Sequence, residues 1–95
     1  MDMVQFYPMK SSKIGKRKIS ELKESKELVK KIGKRIKGLR DEAGYTNAEK
    51  FAFEFDFTRS QYTAWEGGKD MLITSIYQVA KAHGITLAEF FAGIE

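Results

Sequence analysis

Apolar residues recur every three or four positions over most of this chain. Leu22, Val29, Ile32, Ile36, Leu39 and Ala43 fall on one face of a helix, with Lys, Arg and Glu on the other. The spacing predicts a long first helix from Ser20, capped by Ser20 or Ser25, supported by a Glu27–Lys31 pair one turn apart, and closed by Gly44 in the left-handed conformation. Gly33 and Gly38 each weaken that helix by about 1 kcal/mol relative to Ala, which favours a bend or a later start.

The stretch KFAFEFDFTRS breaks the pattern. Phe51, Phe53, Phe55 and Phe57 alternate with smaller or charged residues, as in a half-buried strand. The neighbouring residues decide otherwise. Thr46 is followed three residues on by Glu49, Thr58 by Gln61 and Thr86 by Glu89, and each pair has the form of a capping box that opens a helix. After Thr46, the residues Ala48, Phe51, Ala52 and Phe55 make a helical face that ends at a tight turn at Asp56, and Phe53 is left on another face, partly exposed. A third helix runs from about Arg59 to Glu66 and stops at Gly67 and Gly68. Two short helices about a tight turn form a helix-turn-helix. A fourth helix turns Ile73, Ile76, Tyr77 and Ala80 inward and ends at Gly84. A fifth, capped by Thr86, carries Leu87, Phe90, Phe91 and Ile94 on one face, so the predicted architecture is all-α.

Composition narrows the function. Ninety-five residues, 42% of them apolar, make one small domain. No run approaches the roughly 20 apolar residues that cross a bilayer, and a secretory leader is not evident, so the expected compartment is the cytoplasm and no membrane partner is expected. With no Cys and a single His, disulfides and thiolate zinc sites are excluded, and no metal site or cofactor is expected. Charge is uneven. Residues 1–40 hold 13 Lys+Arg against 4 Asp+Glu, a balance of +9, whereas residues 41–95 hold 4 against 9, a balance of −5. Before the first helix, Val4 to Tyr7 suggests a short extended arm or edge strand stopped by Pro8, and KSSKIGKRK reads as a flexible basic linker of the kind that attracts polyanions. The expected organisation is a flexible basic arm over 1–19 and a helix-turn-helix domain over 20–95.

The pieces IGKRIKGLRDEAGYT, FAFEFDFTRSQYTAWEGGK and IYQVAKAHGITLAEFF, from Ile32 to Phe91, resemble the phage-repressor (Cro/C1, XRE-like) helix-turn-helix DNA-binding family in order and nearly in spacing. The resemblance implies a five-helix, lambda-repressor-like domain, here with a long first helix and a basic arm. It also implies a homodimer on paired half-sites of double-stranded DNA, with the helix from Arg59 in the major groove. The chain departs from the family pattern in four places: one extra residue between Gly44 and Ala52, Asn47 where Gln is usual, Asp56 where Gly is frequent, and Met71-Leu72 in place of Pro-Ser.

By that resemblance Tyr62 and Trp65 face the core and Arg59, Ser60, Gln61, Thr63 and Ala64 face bases; the helical positions of 59, 60, 63 and 64 share an edge, consistent with this division. Arg59 is the strongest reader, because a guanidinium bonds guanine O6 and N7 together, a contact worth about 1–3 kcal/mol of discrimination. Free N–H groups at helix starts favour phosphate at Asn47, Ala48 and Thr58, and Lys69 follows the stop of the third helix. The family also implies a structural ion pair between Arg40 and Glu66. Phe53 and some of Phe90, Phe91 and Ile94 exceed the apolar surface that so small a domain covers, so Phe90, Phe91 and Ile94 on the fifth helix are the expected dimer interface, the alternative being that the first helix or the Val4–Tyr7 arm folds over them. His83 is expected to pack near the end of the fourth helix. No constellation of His, Asp, Ser or paired carboxylates suggests catalysis, so an enzyme is not expected. A rival reading, supported by the acidic balance of 41–95, is an antitoxin or anti-repressor module whose partner is a toxin or repressor protein.

Overall fold

The computed structural model describes residues 22–94, which form five helices with no strand among them. They are α1 (Lys23–Glu42), α2 (Ala48–Glu54), α3 (Arg59–Glu66), α4 (Ile73–Ala82) and α5 (Leu87–Ala92). The expectations placed on residues 1–19, and on Ser20 as a cap, lie outside the described residues. None of the described helices is long and apolar enough to cross a membrane.

The core is built from one stripe of each helix. Ile36, Phe51, Ala52, Tyr62, Val79 and Phe90 are fully buried, and Ile32, Leu39, Trp65 and Ile76 nearly so. Phe51 sits at the centre of an aromatic cluster, with ring centroids 4.6 Å from Phe55, 5.2 Å from Tyr62 and 5.0 Å from His83. The alternating phenylalanines therefore wind round α2 and its turn: Phe51 points in, Phe53 is 85% exposed, and Phe55 and Phe57 pack on the flanks of the cluster.

Local chemistry sets the boundaries, with three corrections. First, α2 is capped one residue later than Thr46: the Asn47 side chain accepts a hydrogen bond from the Lys50 N–H at 3.0 Å. Asn reaches the third amide ahead as Thr46 would and is the stronger capping residue. Second, Thr58 occupies the cap position of α3 by backbone conformation but its side chain makes no cap bond, so the Thr58–Gln61 box does not form. Third, α1 begins after Leu22 without a side-chain cap, which places Ser25 inside its first turn. The Thr86–Glu89 box is complete, with bonds of 2.9 and 3.0 Å. Asp56 turns the chain between α2 and α3 at φ 62°, the left-handed conformation that Asp tolerates better than most side chains.

On α4 the inward face is Ile76, Val79 and Ala80, rotated from the expected one. Ile73 stands at the helix start, beyond the edge of the core, and is 58% exposed. Tyr77 is 49% exposed, with the Lys81 ammonium 6.0 Å above its ring.

Candidate nucleic-acid interface

The outward edge of α3 follows from how its inward edge is held. Tyr62 and Trp65 are one turn apart and buried in the core, so Arg59 and Ser60, both exposed, and Thr63 and Ala64, both half-buried, lie on the opposite edge, with Gln61 exposed on its flank. Because the capping box is not made, the Thr58 hydroxyl and the Gln61 amide are not used by the helix start. The Thr63 hydroxyl donates to the carbonyls of Arg59 and Ser60, at 3.0 and 3.1 Å. What Thr63 presents outward is its methyl group and oxygen lone pairs. The Arg59 guanidinium has one local attraction: it lies 3.9 Å from the Glu49 carboxylate on α2, with both side chains largely exposed.

Two devices fix the far end of α3. Arg40, 4% exposed, donates from Nε to Glu66 Oε2 at 2.7 Å, from Nη2 to Glu66 Oε1 at 3.0 Å and from Nη1 to the Tyr45 carbonyl at 2.7 Å. This forked bond joins α1, the α1–α2 turn and α3, and its geometric fit exceeds that of an exposed pair. The bond to Glu66 raises the Arg40 pKa against the opposing effect of burial. Burial, reinforced by the Glu66 carboxylate, pushes the Tyr62 phenol far up, so the hydroxyl beside this pair stays neutral. The second device is backbone. Gly68, at φ 99°, donates to the Trp65 carbonyl at 3.0 Å, and Lys69 N–H donates to the Ala64 carbonyl at 3.0 Å, a left-handed helix stop that sets Lys69 outside the end of α3.

At the start of α2, Asn47 accepts the cap bond through Oδ1, which leaves its amide hydrogens as donors; Ala48 is half-buried beside it. The apolar residues expected at a dimer interface are separated by the structure. Phe90 is fully buried in its own core, with the Arg35 guanidinium 5.7 Å above its ring, and is corrected to a core residue. Phe91 is 36% exposed and Ile94 half-buried. His83 caps the C-terminus of α4 and stacks on Phe51 at an interplanar angle of 9°. Burial, then the positive charge of Arg35, lowers its pKa.

Sequence reasoning missed four features. Gly33 is a contact surface: a Cβ there would lie 2.7 Å from the Trp65 carbonyl oxygen. Arg35 ties α1 to the end of α5, donating to the Phe90 and Glu89 carbonyls at 2.8 and 2.9 Å. Leu28, Leu72 and Ile73 are large and exposed, and Leu28 and Ile73 line a groove with Met71 and Phe91. The Glu49–Arg59 approach is the fourth. Glycine belongs to no hydrophobic period and Arg35 lies off the apolar stripe, so only the packed arrangement exposes their roles.

Over 66 residues, 68% of this chain, the sequence is 33% identical to control protein C.MunI from Mycoplasma sp., and the match spans 89% of that protein. No family model and no solved structure matches the chain.

Proposed function

The chain belongs to the control-protein family, DNA-binding transcription regulators of the XRE helix-turn-helix type, and on that basis we propose that it acts as a homodimer reading an inverted-repeat operator through the helix that begins at Arg59. Control proteins are regulators and not enzymes. The observation that carries the reading is the outward edge of α3: its inner residues are locked in the core while Arg59, Ser60 and Gln61 stand free of it. Arg59 reads guanine, Gln61 and Ser60 adjoin the neighbouring bases, and Thr63 and Ala64 offer methyl groups to thymine. Lys69, Thr58, Asn47 and Ala48 border that edge and take backbone phosphates, which set register without reading sequence.

The homodimer is supported by the exposed apolar residues next to Lys69. Ile73 is 58% exposed, Leu28 47% and Phe91 36%, and they line one groove of α1, α4 and α5 beside the α3–α4 turn, with Leu72, 72% exposed, at the cap of α4. Burying them symmetrically removes an apolar patch from water, and reading an inverted repeat requires the two recognition helices of such a dimer to stand about 34 Å apart on one side of the duplex. The test is mass measurement in solution, with and without a duplex selected by the protein. Two copies per inverted repeat, reduced to one by Ile73→Glu, is the expected result. Failure to retain any selected duplex would sink the reading.

A further inference from the structure

Lys23, Lys26, Lys30, Lys34 and Lys37 are all exposed on α1 and follow one another at intervals of three or four residues. On a helix with 3.6 residues per turn they form one stripe, about 21 Å long at 1.5 Å per residue. Glu27 borders the stripe and Asp41 lies beyond its end, close to Arg40. The stripe runs along the edge of α1 that meets α3. Gly33 packs against the Trp65 and Glu66 carbonyls on that side, and Arg40 grips Glu66 there. The stem of Lys30 lies on the α3–α4 turn: a Cβ placed on Gly68 would come 3.3 Å from its Cγ. The row therefore meets the α3–α4 turn at Lys30, beside Gly68, the residue before Lys69.

We propose that this row is a second phosphate track, contacting duplex backbone outside the bases read by α3. The inference rests on the operator-reading function and adds a surface that nothing in the recognition helix supplies. Lysines three and four apart repel one another on an isolated helix, and a polyanion laid along the row converts that repulsion into attraction. It also offsets the acidic balance of residues 41–95, which by itself opposes approach to DNA.

The experiment measures binding of the full chain to a selected operator with long flanks across a salt series. The variant is K26Q/K30Q/K37Q, and K31Q/K81Q, which neutralises two exposed lysines off the row, is the control. Removing one lysine–phosphate pairing should flatten the slope of log Kobs against log salt by about 0.9, so removing three should flatten it by up to about 2.7. Between 50 and 200 mM salt, affinity of the variant should then fall by up to roughly forty-fold less than that of the parent chain. The preference for operator over scrambled duplex should be unchanged, since phosphate contacts carry no sequence, and the control should keep the parental slope. Circular dichroism checks that α1 is intact, and the charge-preserving K26R/K30R/K37R variant should restore the slope. An unchanged slope in the triple variant, as a row serving an acidic protein surface would give, overturns the proposal. So does an equal change in the control. If the parent chain itself shows no preference for operator over scrambled duplex, the operator reading fails, while the slope comparison still decides the track.

Discussion

Replacing Gly33 by Ala should destabilise the protein, against the rule for helix interiors. In an exposed helix the change is worth about 1 kcal/mol of stabilisation, because Ala loses less backbone freedom on folding. Here the new Cβ would lie 2.7 Å from the Trp65 carbonyl oxygen, 2.8 Å from that of Glu66 and 3.0 Å from the Gly68 nitrogen. All three are backbone atoms at the end of α3, pinned by the Gly68 turn and the Arg40–Glu66 bond, so no flexible side chain can swing away. Relief to an ordinary contact near 3.4 Å requires α1 and α3 to separate by about 0.7 Å. Overpacking of this kind costs about 1–3 kcal/mol. Steric cost wins, with a net loss of up to about 2 kcal/mol and a fall in melting temperature of several degrees for a domain of this size. Gly38→Ala is the internal control: no atom lies within 4 Å of its added methyl, so stability should rise by up to about 1 kcal/mol. Urea denaturation of both variants at constant m-value reads the two effects. A Gly33→Ala protein as stable as the parent, or more so, would refute the claim that α3 is seated on α1 by backbone contact at this residue.

Three further outcomes follow from the same geometry. Glu66→Leu leaves the nearly buried Arg40 charge without its partner and should cost about 3–5 kcal/mol by thermal denaturation, whereas Arg40→Met with Glu66→Leu should recover part of that stability; equal costs would argue against a coupled pair. His83 has a folded pKa below the unfolded value of about 6.5, so its contribution is present above that pH and declines as pH falls through it, when the unfolded chain takes up the proton first. The urea midpoint of the parent should fall between about pH 7 and 5.5 more than that of His83→Gln, and parallel curves would count against this assignment. Glu49→Gln removes the carboxylate nearest Arg59 and a negative charge facing phosphate, so operator affinity should rise several-fold, with weaker binding as the adverse result.

The sequence carried the helices further than the contacts between them. Thr86 and Glu89 specify their capping box within four residues, and Asp56 marks a turn through its own backbone tolerance, so both features are legible locally. Asn47 displaces Thr46 because two adjacent capping residues compete and only side-chain geometry ranks them. The division of α3 into Tyr62 and Trp65 inside against Arg59 and Ser60 outside is implied by the family resemblance and agrees with the helical period. The depth of each apolar face does not. Phe90 and Phe91 are neighbours with similar hydrophobicity, yet one is sealed by Arg35 and the other remains on the surface, a distinction made by how α5 meets α1. Ile73 has the spacing of an internal residue and is exposed because α4 starts before the core reaches it.

Base reading by the outer edge of α3 is the point on which the regulator's function turns. It is open to selection of bound duplexes from a randomised pool, carried out in parallel with the parent chain and with Arg59→Ala. The parent should enrich an inverted repeat with guanine fixed at one position in each half, and the variant should lose that one preference while retaining the rest of the repeat. Enrichment of no sequence by the parent, or an unchanged guanine preference in the variant, would rule out base reading by this edge.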